Sequence, residues 1–151
     1  MNGFYRVTDI IRETLQADVN CNTVTYGDIS QVDLNKQTIF PLAHLIVNSV
    51  TSGEQTLTFN ISVLAMDIVD ISKDEDVNIF VGNDNEQDVL NTQLAVLNKL
   101  IQKLRIGNLY VSKYQILGDV SLEPFRDRFE NQIAGWTATM DIIIENDVNV
   151  C

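Results

Sequence analysis

The sequence predicts an α+β domain: a mainly antiparallel β-sheet with a long β-hairpin and two helices packed on one face. Three observations carry that prediction. Thr56, Thr58, Asn60 and Ser62 alternate strictly with Leu57, Phe59, Ile61 and Val63, the period of a strand with one buried face. Two other stretches, 2–16 and 86–104, repeat apolar residues at three- and four-residue spacing, the period of a helix with one buried stripe. The order helix, strand, hairpin, helix, two strands lacks the regular alternation that builds a parallel sheet.

Each element has its own signal. In the first helix Phe4, Val7, Ile11 and Leu15 form the stripe, Ile10 widens it, and Asn2 is placed to cap the N-terminus. Asp18-Val19-Asn20 breaks the pattern, Asn22–Tyr26 has strand character, and Gly27-Asp28 signals a turn. Residues 29–41 are polar and end in Pro41, which disfavours helix in the residue before it, so this segment is expected to be extended or loop-like. The hairpin follows, with strands at 42–50 and 55–71 joined tightly at Ser52-Gly53. Its second strand continues through Leu64, Met66, Ile68 and Ile71, which puts apolar residues on both faces near its end.

An acidic stretch from 67 to 88 leads into the second helix, with Asn83-Asp84-Asn85 as capping residues. Leu90, Leu94, Leu97, Ile101 and Leu104 form its stripe; Lys99, Lys103 and Arg105 suit its C-terminus, and Gly107 stops it. A strand is predicted over 109–117, then a polar connection over 118–131 containing Pro124. The last strand covers 133–144, where Trp136, Ala138, Met140, Ile142 and Ile144 share one face.

The length of 151 residues suits one domain, 1–151, able to bury about two-thirds of its unfolded surface. Ten Lys and Arg against twenty-one Asp and Glu give a formal net charge of −11. That balance opposes binding to phosphate backbones, which rests on cations, and to anionic membrane surfaces. It suits solubility, and equally a channel wall along which DNA slides without being held. No apolar run reaches the ~18 residues of a membrane span, and the N-terminus goes straight into an amphipathic pattern, so residence in a cytoplasm is expected. Cys21 and Cys151 make no disulfide framework and are expected as free thiols, a bridge between them being left open.

No constellation of catalytic residues emerges. His44 is the single histidine, lies in a strand beside Leu45 and Ile46, and has no nucleophile or carboxylate at triad spacing. A structural or interface role is expected for it. Zinc patterns need several His or Cys at short spacing, and they are absent. Asp70, Ser72, Asp74 and Asp76 alternate like a calcium loop, but Glu75 and Val81 stand where that loop needs Gly and Glu. Gly82 and Gly107 stand alone, so no phosphate-cradling loop is expected, and no cofactor. The long hairpin exposes backbone along its edges, which favours association between copies through sheet edges.

The element order, the segment Gln31–His44 with Phe40-Pro41, the Trp136 strand and the ending Ile142–Cys151 together resemble tail terminator and neck ring proteins of the head–tail junction in tailed bacteriophages. That resemblance implies a structural virion protein, without enzymatic activity, assembled in the host cytoplasm as a homo-oligomeric ring. The ring would be a hexamer or a dodecamer. Its neighbours would be neck, portal or tail-tube proteins, with DNA as non-specific cargo in the lumen. Contact surfaces are expected at 31–44, at the 50–58 hairpin tip and at 119–131. The residues singled out are Gln31, Asp33, Lys36, Phe40, His44, Ser52, Glu54, Gln55, Arg126 and Arg128. A small adaptor or regulatory module is the alternative, and an enzyme ranks below it.

Overall fold

The computed structural model describes residues 3–27, 40–69, 86–105, 114–126 and 133–145. Helix α1 spans Gly3–Gln16, followed by strands β1 (Thr23–Tyr26), β2 (Leu42–Ser52) and β3 (Thr56–Ile68), helix α2 (Glu86–Arg105), and strands β4 (Gln115–Ile116), β5 (Ser121–Arg126) and β6 (Ile133–Glu145). The strands form one sheet in the order β1-β2-β3-β6-β4, with β5 also paired to β6. Every pairing is antiparallel except that of β1 with β2. The α+β class read from the sequence is the observed one.

Both helices lie on one face. Val7, Ile11 and Leu15 of α1 and Val96, Leu97, Leu100, Ile101 and Leu104 of α2 share a core with Leu57, Phe59, Ile61, Val63 and Ala65 of β3 and Ala138, Met140, Ile142 and Ile144 of β6. The strand alternation is the physical origin of this layer, since its odd-numbered β3 residues all point to the helices. Two details of the helix stripes differ. Phe4 is 40% exposed, whereas Gly3 beside it is buried, so the buried stripe of α1 runs through Gly3, Val7, Ile11 and Leu15. In α2 the buried face also takes in Val89, Gln93, Val96 and Leu100, whereas Leu90 and Leu94 are half-buried. That face is rotated toward the sheet by about one position. It buries the Gln93 amide nitrogen with no hydrogen-bond partner among the described residues, and a group left so costs about 1–3 kcal/mol.

The other face of the sheet divides in two. At one end Phe40, Leu42, Leu64, Met66 and Ile133 form a second buried cluster, joined by half-buried Ile46, Ile68 and Phe125. This accounts for the apolar residues expected on both faces of the second hairpin strand. At the other end the face is polar. Asn48 donates to Asn60 Oδ1 and Ser62 Oγ, each at 2.9 Å, and Asn60 donates to Asp141 Oδ1 at 2.8 Å, forming a ladder across β2, β3 and β6. Asn48 is the extra residue of a β-bulge: Val47 pairs with Ile61 and Ser49 with Asn60. Beyond the bulge the alternation is reset, and Val50 rather than Ser49 takes the helix side.

Two expectations near the C-terminus need correction. The polar connection predicted over 118–131 contains β5, which pairs with β6 from Ser121↔Thr139 to Arg126↔Ala134. Pro124 obscured it, yet among the described residues β5 has a neighbouring strand on one side only, and a strand so placed tolerates a missing N–H. Within the strand predicted over 109–117, β4 occupies Gln115–Ile116, and 109–113 lie outside the described residues. β4 and β5 lie along the same side of β6 and are separated by a break at 117–120. Gly118 takes φ +71° there, and Arg105 at the end of α2 donates to its carbonyl at 3.1 Å. The proposed cap Asn2, the acidic residues 70–85 and Gly107 lie outside the described residues.

Candidate functional site

Ser52, Glu54 and Gln55 stand together at the tip of the β2–β3 hairpin, and all three are exposed. Gly53 makes the connection, its N–H bonding the Thr56 carbonyl at 2.8 Å. The tip adjoins an open groove of about 710 Å³ lined by Glu54, Gln55 and Thr56, by Gln115, and by the end of β6. This groove is polar and carries Glu54 and Glu145, so it suits a neutral or basic surface. Among the described residues no group of three or more His, Cys, Asp and Glu is placed to hold a metal ion.

The structure moves two other candidate contact residues inward. His44 is fully buried and Phe40 is 8% exposed, so neither presents a surface to a neighbouring subunit. His44 Nε2 lies 2.7 Å from the Gly27 carbonyl oxygen, which can only accept, so this nitrogen carries a proton. Nδ1 lies 2.6 Å from Thr25 Oγ1, and in the neutral ring it accepts the hydroxyl proton. The imidazole thereby fastens the end of β1 to β2. Its neighbourhood was invisible in the sequence, because Thr25 and Gly27 are brought beside it only by the parallel register Thr25↔His44. Arg126 ends β5 opposite Ala134. Gln31, Asp33, Lys36 and Arg128 lie outside the described residues.

Sequence reasoning missed an aromatic patch. Phe4, Tyr5 and Tyr26 are 40%, 69% and 56% exposed. Phe4 meets Tyr5 and Tyr26 edge-to-face, with ring centroids 6.1 and 6.0 Å apart. Together with Asp9, Arg12, Val24 and Leu45 they line a groove of about 450 Å³ between α1 and β1. Tyr26 opens this groove, but His44 does not line it, since its side chain is on the far face of the sheet. The available signal was Phe4-Tyr5 at the start of a helix stripe, too bulky a pair for both to face inward.

Cys21 is a free thiol, half-buried against the main core, and donates to the Thr23 carbonyl at 3.6 Å. Burial, and secondarily the negative charge of Asp18, push it up from 9.0 to about 11. A raised folded-state value favours the protonated form, so the stability it contributes is complete below pH 9.0 and fades as pH rises toward about 11. Cys21 is therefore expected to alkylate more slowly in the native chain than in denaturant at mildly alkaline pH. Peptide mapping after iodoacetamide treatment checks this, and equal rates would contradict it.

No helix among the described residues is long and apolar enough to cross a membrane. No family model and no curated protein matches the chain.

Proposed function

We propose that this chain is a structural virion protein of a tailed bacteriophage. In this reading it forms a ring at the head–tail junction, as tail terminator or as a neck or portal-proximal ring through which DNA passes. The observation that carries the proposal is the β2–β3 hairpin, whose distal part from Asn48 to Thr56 is exposed while the rest is packed in the core. An exposed hairpin on a rigid sheet is a contact element, and it supplies neighbouring copies with a preformed surface at little entropic cost. The charge of −11 suits a lumen that does not retain DNA. Head-to-tail contacts of such tips close into a ring when the rotation per subunit allows, sixfold or twelvefold in this proposal. Further neighbours are neck, portal or tail-tube proteins.

Native mass spectrometry of the purified chain tests the reading. The expected result is a closed ring that disperses to single copies when Ser52, Glu54 and Gln55 are all replaced by arginine. These side chains are exposed, so the circular-dichroism spectrum is expected to stay unchanged. A ring that survives the triple replacement removes the tip from the contact, and single copies alone or with isolated phage tails count against the ring. The aromatic groove favours a second reading, a small adaptor or regulatory module that docks a partner beside Tyr5 and Tyr26.

A further inference from the structure

The groove between α1 and β1 has a recognition chemistry of its own. Every residue lining it belongs to the described part of the chain, and its volume of about 450 Å³ holds one long side chain with the backbone that carries it. One end is a corner of aromatic rings. Phe4 stands nearly perpendicular to Tyr5 and to Tyr26, at interplanar angles of 82° and 85°. Tyr5 and Tyr26 keep more than half of their surface exposed, so ring area that a core would cover is offered to a guest.

The charge of that guest follows from the surroundings of the corner. A ring face is the negative part of the aromatic quadrupole, and perpendicular rings can turn two such faces toward one cation. Asp9, four residues after Tyr5 and on the same side of the helix, lines the groove with an exposed carboxylate. The whole chain carries −11, and its field draws cations toward any cleft. Against these stands Arg12, also in the lining. It is seven residues from Tyr5, about 10 Å along the helix axis, and so belongs to the other end of the groove. Its guanidinium, a donor only, suits the backbone carbonyls of a bound segment there. An anionic guest would find Arg12 alone, and a neutral apolar one would leave Asp9 unused.

We propose that this groove takes a lysine or arginine side chain from a basic segment of a partner protein. The alkyl stem lies against the apolar wall at Val24, and the charge sits over the rings of Phe4, Tyr5 and Tyr26 beside Asp9. The inference rests on the groove being a docking site and names the chemistry of what docks. It is separate from the hairpin tip, so it stands or falls apart from the ring.

Ring-proton NMR of the full chain, titrated with blocked glycine pentapeptides bearing one central side chain, tests the assignment. About 0.15 M salt screens charges beyond about 8 Å and removes the general pull of an acidic surface. Lysine and arginine peptides are expected to shift the Phe4, Tyr5 and Tyr26 signals to saturation. The norleucine peptide is expected to bind about fivefold more weakly, and the glutamate peptide not at all. Tyr5→Leu and Tyr26→Leu, at exposed positions, keep apolar bulk and lose a ring face; each is expected to weaken the lysine peptide about fivefold, whereas Tyr26→Phe keeps its binding. Norleucine binding as tightly as lysine overturns the cationic occupant and leaves a docking groove. No shift with any peptide overturns the groove as a docking site as well. Lysine binding that survives both leucine variants unchanged places the contact elsewhere on the acidic surface, and overturns the assignment.

Discussion

Replacing Gly135 by alanine is expected to cost about 3 kcal/mol or more of folding stability, the upper range for overpacking a close-packed interior. β6 pairs with β3 at Gly135↔Met66 and with β5 on its other side at Phe125↔Gly135. A Cβ there would press into the Ala65 carbonyl oxygen and sit 2.8 Å from Met66 Cα. Both obstacles are backbone, and a side-chain rotation cannot clear them. Relief requires β6 to move away from β3, which would strain the flanking pairs Ala65↔Trp136 and Asp67↔Ala134. Trp136 would move with it, although its indole N–H bonds the Leu90 carbonyl at 2.8 Å and ties the sheet to α2. Urea unfolding followed by circular dichroism measures the effect, and a loss below about 1 kcal/mol would show that the strands separate easily.

Phe59→Ala is expected to lose about 3–5 kcal/mol by removing a ring from the centre of the core. Phe59 is 1% exposed, points to the helix side, and lies between Val50 of β2 and Ile142 of β6. Its neighbours are held by three hydrogen-bonded strands, so they collapse into the space only partly. A domain of this size has about 5–15 kcal/mol to lose, so the variant is expected to be folded but near its limit. The urea midpoint is expected to fall with little change in slope. Phe59→Leu, which fills most of the volume, is expected to recover the larger part. Equal losses for both variants would argue against a cavity as the cause.

Much of the fold was legible because its signals are local. The alternation from Thr56 to Val63 names the buried face of β3 without any partner being known, and the spacing of Val7, Ile11 and Leu15 does the same for α1. β5 was hidden because Pro124 reads as a break when the number of neighbouring strands is unknown. The rotation of the α2 face was hidden for a related reason. Helical spacing permits a range of orientations, and the sheet chose one that buries Gln93. Of the contact residues read from the sequence, Ser52, Glu54 and Gln55 are together at the tip, whereas Phe40 and His44 face inward.

By itself the sequence determined the α+β class, the hairpin, both helices and the acidic character of the surface. Each of these follows from side-chain periodicity or composition within a short window. The tertiary structure alone decided the parallel docking of β1 on β2, the partners of His44, the close approach of β3 to β6 at Gly135 and the pairing of β5 with β6. Those features depend on which strands become neighbours and in what register, and residues far apart in the chain settle that together. His44 is the clearest case, since the groups that satisfy its ring, Thr25 and Gly27, reach it only through the register of β1 on β2.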